Sequence, residues 1–152
     1  KGELITIDFG ASYNGYMSDI TRTVAVGRIS PKLKEIYEIV RESQERGCKV
    51  AKAGVTGKDI DDVCRGYIIE NGYGRNFSHS TGHGLGMSAH ESPNITALNV
   101  KPLLVNSVVT IEPGIYIQGL GGVRIEDALI VTRNGNINLH KAAPKELIQL
   151  KD

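Results

Sequence analysis

Asn14-Gly15 lies between ELITIDF (residues 3 to 9) and YMSDITRTVAV (residues 16 to 26), and it leaves the chain few choices. Both flanking runs are rich in β-formers. Asn-Gly is the strongest short hairpin signal, because both residues tolerate the positive φ of a type I′ turn. A two-residue loop fixes the register, setting Tyr13 opposite Tyr16, Gly10 opposite Asp19 and Asp8 opposite Thr21. Side chains alternate with period two, so Asp8 and Asp19 share one face as diagonal neighbours, about 7–8 Å apart at the backbone. A β-bulge would shift this register by one, so convergence of the two carboxylates requires an unbulged hairpin. Taken singly, Asp8 also reads as a turn cap at a strand end, and Asp19 as the partner of nearby Arg22. Asp8, however, sits in the apolar stretch LITIDFG, where a buried carboxylate is costly unless it is paired or binds metal.

A second hairpin repeats the arrangement. SVVTIEPGIYI and GVRIEDALIVT read as strands around a turn at Gly119 to Gly122, with Glu112 and Glu126 equidistant from Gly119. They face each other if the turn is centred there, although Pro113 disturbs the ladder beside Glu112. Arg124 shares the face of Glu126 and is placed to orient a carboxylate. Two surface glutamates are the plainer alternative, weakened by the apolar neighbours of Glu112. Between the hairpins, Ser30 and Pro31 open a helix whose Leu33, Ile36, Tyr37 and Val40 form an apolar stripe, running to about Ala53 and ended by Gly54. A second helix begins after Thr56, buries Ile60, Val63, Cys64, Tyr67 and Ile68, and stops at NGYG. NGNINL and KELIQL read as short terminal strands. The expectation is one α+β domain with an antiparallel sheet.

Composition narrows the function. At 152 residues and 40% hydrophobic the chain builds one substantial core. A net charge of +1 gives no electrostatic case for nucleic acid, and no apolar run is long enough to span a membrane. Cys48 and Cys64 read as reduced, buried thiols of a cytoplasmic protein. The chain enters a strand at once with no initiator Met, so it is expected to be a piece of a longer polypeptide.

Three of the four histidines fall in HSTGHGLGMSAHE, residues 79 to 91, whose alternating glycines argue for a loop. Hard oxygen ligands with an imidazole suit Mn²⁺, Co²⁺, Zn²⁺ or Fe²⁺ rather than a thiolate site. Four carboxylates are too much charge for one buried divalent ion and suit a pair ~3.5–4 Å apart that share bridging carboxylates, as in hydrolases. GHGLG lacks the spacing and the strand-to-helix setting of a dinucleotide loop.

IDFGASYNGYMSDITRT, HSTGHGLGMSAHE, TIEPGIYI and GVRIEDALIVT together resemble the dinuclear metallopeptidases of the pita-bread fold, a group that includes Xaa-Pro aminopeptidases, prolidases and methionine aminopeptidases. The resemblance covers nearly the whole chain, in family order. It implies a curved antiparallel sheet with helices on its outer face. It also implies two divalent ions, with Mn²⁺ or Co²⁺ favoured over Zn²⁺ or Fe²⁺. The implied ligands are Asp8, Asp19, His83, Glu112 and Glu126. Asp19 and Glu126 would bridge, Asp8 would serve one ion, and His83 and Glu112 the other. Glu112 would shuttle the proton, His79 and His90 would line the pocket and stabilise the carbonyl oxygen, and Arg124 would hold a carboxylate.

HSTGHGLGMSAHE and GGVRIEDALIVT resemble the proline-specific branch, which implies a peptide substrate with proline second. By the same resemblance residues 1 to 152 are a C-terminal catalytic domain lacking upstream helices, a further pocket histidine and an N-terminal domain. Alone it is expected to be weakly active and to depend on association, as a homodimer for example. The competing readings are a methionine aminopeptidase, a metal-free creatinase-type hydrolase, and a non-catalytic peptide- or protein-binding relative. The last two should have lost some of the carboxylates that are present here.

Overall fold

The computed structural model describes residues 1–151. The strands are β1 (Glu3–Phe9), β2 (Ser12–Tyr13), β3 (Tyr16–Met17), β4 (Ile20–Val26), β5 (Gly82–Gly84), β6 (Glu91–Ile95), β7 (Val108–Ile111), β8 (Gly114–Ile117), β9 (Gly121–Arg124), β10 (Asp127–Val131), β11 (Asn136–Asn138) and β12 (Gln149–Leu150). The helices α1 (Pro31–Val50) and α2 (Gly57–Glu70) lie between β4 and β5. β1, β4 and β12 form one sheet, and a five-stranded sheet runs β11-β10-β7-β5-β6. β12 joins β4 in parallel, a departure from the purely antiparallel plan. The two-residue β12 is reached by a long return of the chain, so nothing forces it into a hairpin.

Local chemistry sets the helix ends as expected. The Ser30 hydroxyl accepts from the Leu33 N–H, with Pro31 at the first helical position. Thr56 and Asp59 form a reciprocal capping box on α2. Helix α1 stops at Val50, short of Ala53.

Both hairpins keep the register the turn residues dictate, but each breaks in the middle. Asn14 and Gly15 adopt φ of 49° and 83°, and Tyr13 pairs with Tyr16. Asp8 stands opposite Thr21. Phe9 faces Ile20 and Ser12 faces Met17, so the register is unchanged across the gap that holds Gly10, Ala11, Ser18 and Asp19. In the second hairpin Ile111 faces Asp127 and Gly114 faces Arg124, which leaves Glu112 and Glu126 at opposed positions in a second gap. Each gap frees carboxylate-bearing residues from the ladder without changing which face they lie on.

That parity separates core from site. Val109, Ile111, Ile115, Val123, Ile125, Leu129 and Val131 are buried and belong to the clusters that include the helix residues Leu33, Ile36, Tyr37, Val40, Ile60 and Cys64. The alternate residues Thr110, Glu112, Tyr116, Arg124 and Glu126 fall on the opposite face. In β1 the same alternation leaves Ile5, Ile7 and Phe9 exposed.

The segment expected to be a loop contributes the interior strand β5, between β7 and β6. A Cβ on Gly82 would lie 1.9 Å from the Thr110 carbonyl oxygen, and one on Gly84 2.4 Å from that of Ser92. The glycines let the backbone press against its neighbouring strands, so the alternation that argued against regular structure is what close strand packing requires.

The two glycines inside the helices, Gly47 and Gly66, should respond oppositely to alanine, Gly57 being the first residue of α2. A Cβ on Gly47 would sit 2.4 Å from Cys64 Sγ and 2.9 Å from Ile111 Cγ2, whereas nothing lies within 4 Å of one on Gly66. Gly47→Ala is expected to cost about 1–3 kcal/mol, and Gly66→Ala to gain roughly 0.5–1 kcal/mol. Urea midpoints at constant slope measure both.

Candidate metal centre

Three elements of the chain deliver ligand-type side chains to one point. The first hairpin's gap presents Asp19, β5 presents His83, and the second hairpin's gap presents Glu126. One ligand atom from each lies within 4.8 Å of the others. His83 Nε2 is 3.1 Å from Glu112 Oε1 and 3.6 Å from Asp19 Oδ2. Asp8, Asp19, His83, His90, Glu112 and Glu126 all line one cleft of about 570 Å³. Asp8 itself is half-exposed and bonded to Arg124, whose Nη2 donates at 2.6 Å. The burial expected from its apolar neighbours is not seen, because the alternation turns those neighbours to the other face. Arg22 ignores Asp19, pairing instead with Asp127 and donating to the Thr21 and Glu126 carbonyls.

Several polar residues that the sequence reading passed over fix this geometry. The Thr110 hydroxyl accepts from the His83 N–H and donates to Glu112 Oε1. The Thr21 hydroxyl donates to Glu126 Oε2 at 2.6 Å and accepts from Arg124 Nε. The Tyr116 hydroxyl accepts from Arg124 Nη1 and shares a 2.9 Å hydrogen bond with His79 Nε2. Extending the period-two reading would have found them, since Thr110 and Tyr116 lie two and four residues from Glu112 and Thr21 faces Asp8.

Of the two other histidines in residues 79 to 91, His79 has both ring nitrogens engaged, by Ser80 O and Tyr116. His90 is exposed and lies against the His83 ring with centroids 4.1 Å apart.

The electrostatics call for positive charge. Burial, reinforced by the charge of Glu112, pushes the Glu126 carboxyl up to about 8. Burial and the charge of Asp8 raise Asp19. Burial disfavours charge on His83, but the hydrogen bonds to Glu112 and to Gly84 O, together with the charges of Glu112 and Asp19, outweigh it and lift the imidazole to about 9. Burial likewise opposes the charge on Glu112, but the bond to His83, the charge of His83 and the Thr110 hydroxyl together prevail and hold that carboxyl below its usual range. Glu126 Oε1 is buried with no hydrogen-bond partner, the one such side-chain atom among the described residues. Its side chain lies in the cluster with Asp19 and His83. An orphaned carboxylate oxygen amid oxygen and imidazole donors fits a hard or borderline divalent cation.

A sheet with helices on one face and a cation-binding cluster on the other defines a metalloprotein of pita-bread architecture. Residues 1–133 match the model of metallopeptidase family M24, and the chain belongs to that family. It is 49% identical over 148 residues to a Xaa-Pro dipeptidase of Pyrococcus horikoshii, covering 97% of this chain and 42% of the relative. Among solved structures it superposes on a Xaa-Pro dipeptidase from Bacillus anthracis with TM-score 0.95 and 56% identity, covering 97% of this chain and 41% of that one. An X-Pro aminopeptidase from Thermotoga maritima matches at TM-score 0.95 and 47% identity, covering 99% and 42%. The chain thus spans about two fifths of the length of these relatives. Its family implies divalent metal ions. No helix among the described residues is long and apolar enough to cross a membrane.

Cation binding should be linked to pH in a defined direction. Glu126 and His83 both have folded pKa values above their unfolded ones, so folding takes up protons and the metal-free protein loses stability as pH rises from about 5 through 9. Glu112 is depressed and acts only at lower pH. A divalent cation replaces the protons, so the rise in thermal midpoint produced by Mn²⁺ should grow from pH 6 to pH 8.5. Calorimetric scans across that range check it, and a metal effect that is flat with pH would contradict the cluster as the binding site.

Proposed function

We propose that this chain carries the active site of a metal-dependent peptidase that cleaves the bond between an N-terminal residue and proline. The observation that carries the reading is the buried, unpartnered Glu126 Oε1 within a cluster shared with Asp19 and His83. The similarity to Xaa-Pro dipeptidases and to an X-Pro aminopeptidase supports the substrate class, a peptide with proline second. Asp8, Asp19, His83, Glu112 and Glu126 would hold two divalent cations, Mn²⁺ or Co²⁺ above Zn²⁺ or Fe²⁺. Such a pair, when bound, supplies Lewis acidity and a water that ionises near neutral pH.

The side chains do the rest. Glu112, aimed by the Thr110 hydroxyl and by His83, takes a proton from the attacking water and returns it to the leaving nitrogen. That return is essential for proline, whose imide nitrogen has no hydrogen of its own and must gain one to leave as an amine. His90, whose ring makes no hydrogen bond among the described residues, faces the cleft and donates to the carbonyl oxygen as it gains charge. His79 walls the pocket and anchors the Tyr116–Arg124–Asp8 chain of hydrogen bonds, which sets the orientation of Asp8. All the carboxylates and the imidazole are present, as a catalytic member of the family requires and a purely binding one does not.

The test is hydrolysis by the protein as its gene encodes it, loaded with Mn²⁺ or Co²⁺, of Xaa-Pro dipeptides, longer Xaa-Pro peptides and Met-Ala peptides. Release of the residue before proline is expected, with Met-Ala peptides left intact. Glu112→Gln should lower kcat by about 10²–10⁴-fold. Cleavage of Met-Ala peptides in preference to Xaa-Pro would replace this reading with that of a methionine aminopeptidase.

A further inference from the structure

Helix α2 carries a charged pair that helix stability does not explain. Its side chains Lys58 and Asp62 pair at the surface, as do Arg46 and Glu42 on α1. Asp61 and Arg65 have the same i,i+4 spacing, but the Asp61 side chain is 1% exposed. The pair is a two-pronged fork, with Arg65 Nε and Nη2 donating to the two Asp61 oxygens at 2.8 and 2.9 Å. Its remaining bonds all leave the helix for one short segment. Arg65 Nη1 donates to the Phe77 carbonyl and Nη2 to the His79 carbonyl. Asp61 Oδ1 accepts from the Thr81 hydroxyl at 2.7 Å. The guanidinium also lies over the Phe77 ring at 4.0 Å, and that ring meets the His79 ring edge-on.

The held segment is the one that sets the site. Residue 79 carries the imidazole bonded to Tyr116, and the Thr81 carbonyl accepts the Glu112 N–H at 2.8 Å. Two residues further on is His83. The pair therefore fixes the backbone from which His79 projects and against which Glu112 is hung. We propose that Asp61 and Arg65, with Thr81 as their link, are positioning residues that hold His79 and Glu112 in reactive register from the opposite side of the segment. An ion pair with one partner buried and the other partly so is a weak way to add stability, because desolvation offsets much of its attraction. It is a good way to fix two carbonyls and a hydroxyl at once, since a guanidinium fork fixes angles as well as distances.

The proposal rests on the peptidase reading above, and its test separates the two. In the protein as encoded and metal-loaded, Arg65→Lys keeps the charge opposite Asp61 but loses the fork and so its hold on both carbonyls. It should lower kcat about tenfold, with KM and bound metal unchanged. The double variant Asp61→Leu with Arg65→Met replaces the pair by apolar side chains. It should recover a thermal midpoint near that of the parent while kcat stays low, whereas a purely structural role predicts that activity returns with stability. Thr81→Val, the mildest change, removes only the link and should lower kcat by less than Arg65→Lys. A readout independent of turnover is the nitrogen resonance pair of the His79 ring, assigned by its loss in His79→Gln and expected to move in Arg65→Lys with or without metal. Folded variants with kcat within twofold of the parent and an unmoved His79 signal overturn the proposal. If the parent itself cleaves no Xaa-Pro peptide, the peptidase reading fails and the His79 resonances still decide the positioning role.

Discussion

Like charges crowd into one cleft, and the architecture makes sense only around that crowding. Glu126 is pushed to about 8 by burial and by Glu112, while Asp19 is raised by burial and by Asp8. A chain does not bring such groups together without something positive between them. His83 supplies part of it, and its imidazole is held at about 9, against burial, by its hydrogen bonds to Glu112 and Gly84 O and by the charges of Glu112 and Asp19. The Thr21 hydroxyl satisfies one oxygen of Glu126 and leaves the other bare. One buried, unpartnered oxygen among these groups gives a cation a reason to bind there.

The fold reaches this arrangement by interrupting its own strands. In an unbroken hairpin, Asp19 and Glu112 would stand in the ladder with backbones committed to their neighbours. The gaps at Gly10–Asp19 and at Glu112–Glu126 release that backbone while the flanking pairs keep register. The freed groups find other partners. The Glu112 N–H goes to Thr81 O and the Glu126 N–H to Thr21 O. Through these bonds the two hairpins and the histidine segment become one unit. The Met17 N–H adds a further tie by donating to Gly86 O.

Much of this was legible in the residues, and the illegible part has physical causes. Asn14-Gly15 fixed the first register because its positive φ values admit one turn geometry. Symmetry about Gly119 fixed the second, despite Pro113, because the proline falls in the gap where no ladder bond is required. The extent of the gaps was invisible. SDIT is as strand-like as its flanks, and Pro113 in IEPG marks a disturbance without its extent, so only tertiary partners reveal how the ladder is released there. Gly82 and Gly84 misled for a related reason. Glycine alternation signals loop when a strand is considered alone, yet it is what a strand needs when the neighbouring backbones approach too closely for a Cβ. The side of the sheet on which Asp8 falls was correct, whereas its burial was not, since flanking apolar residues describe the opposite face of a strand.

The same logic explains why the aiming of the site is entrusted to a helix that contributes no side chain to the cleft. Apart from Asp8, which stands in the β1 ladder, every ligand-type group sits where regular backbone pairing has been given up, in a gap or on a strand of three residues. Such positions have few hydrogen bonds of their own to resist displacement. Their precision must therefore come from an element whose backbone is fully paired. Helix α2 is such an element, capped by Thr56 and Asp59 and packed through Ile60, Cys64 and Ile68. Asp61 and Arg65 carry its rigidity across to Phe77, His79 and Thr81 through bonds whose direction is fixed by a planar fork. A cluster of mutually repelling carboxylates needs such an external reference, because its own members, left to relax, would move apart.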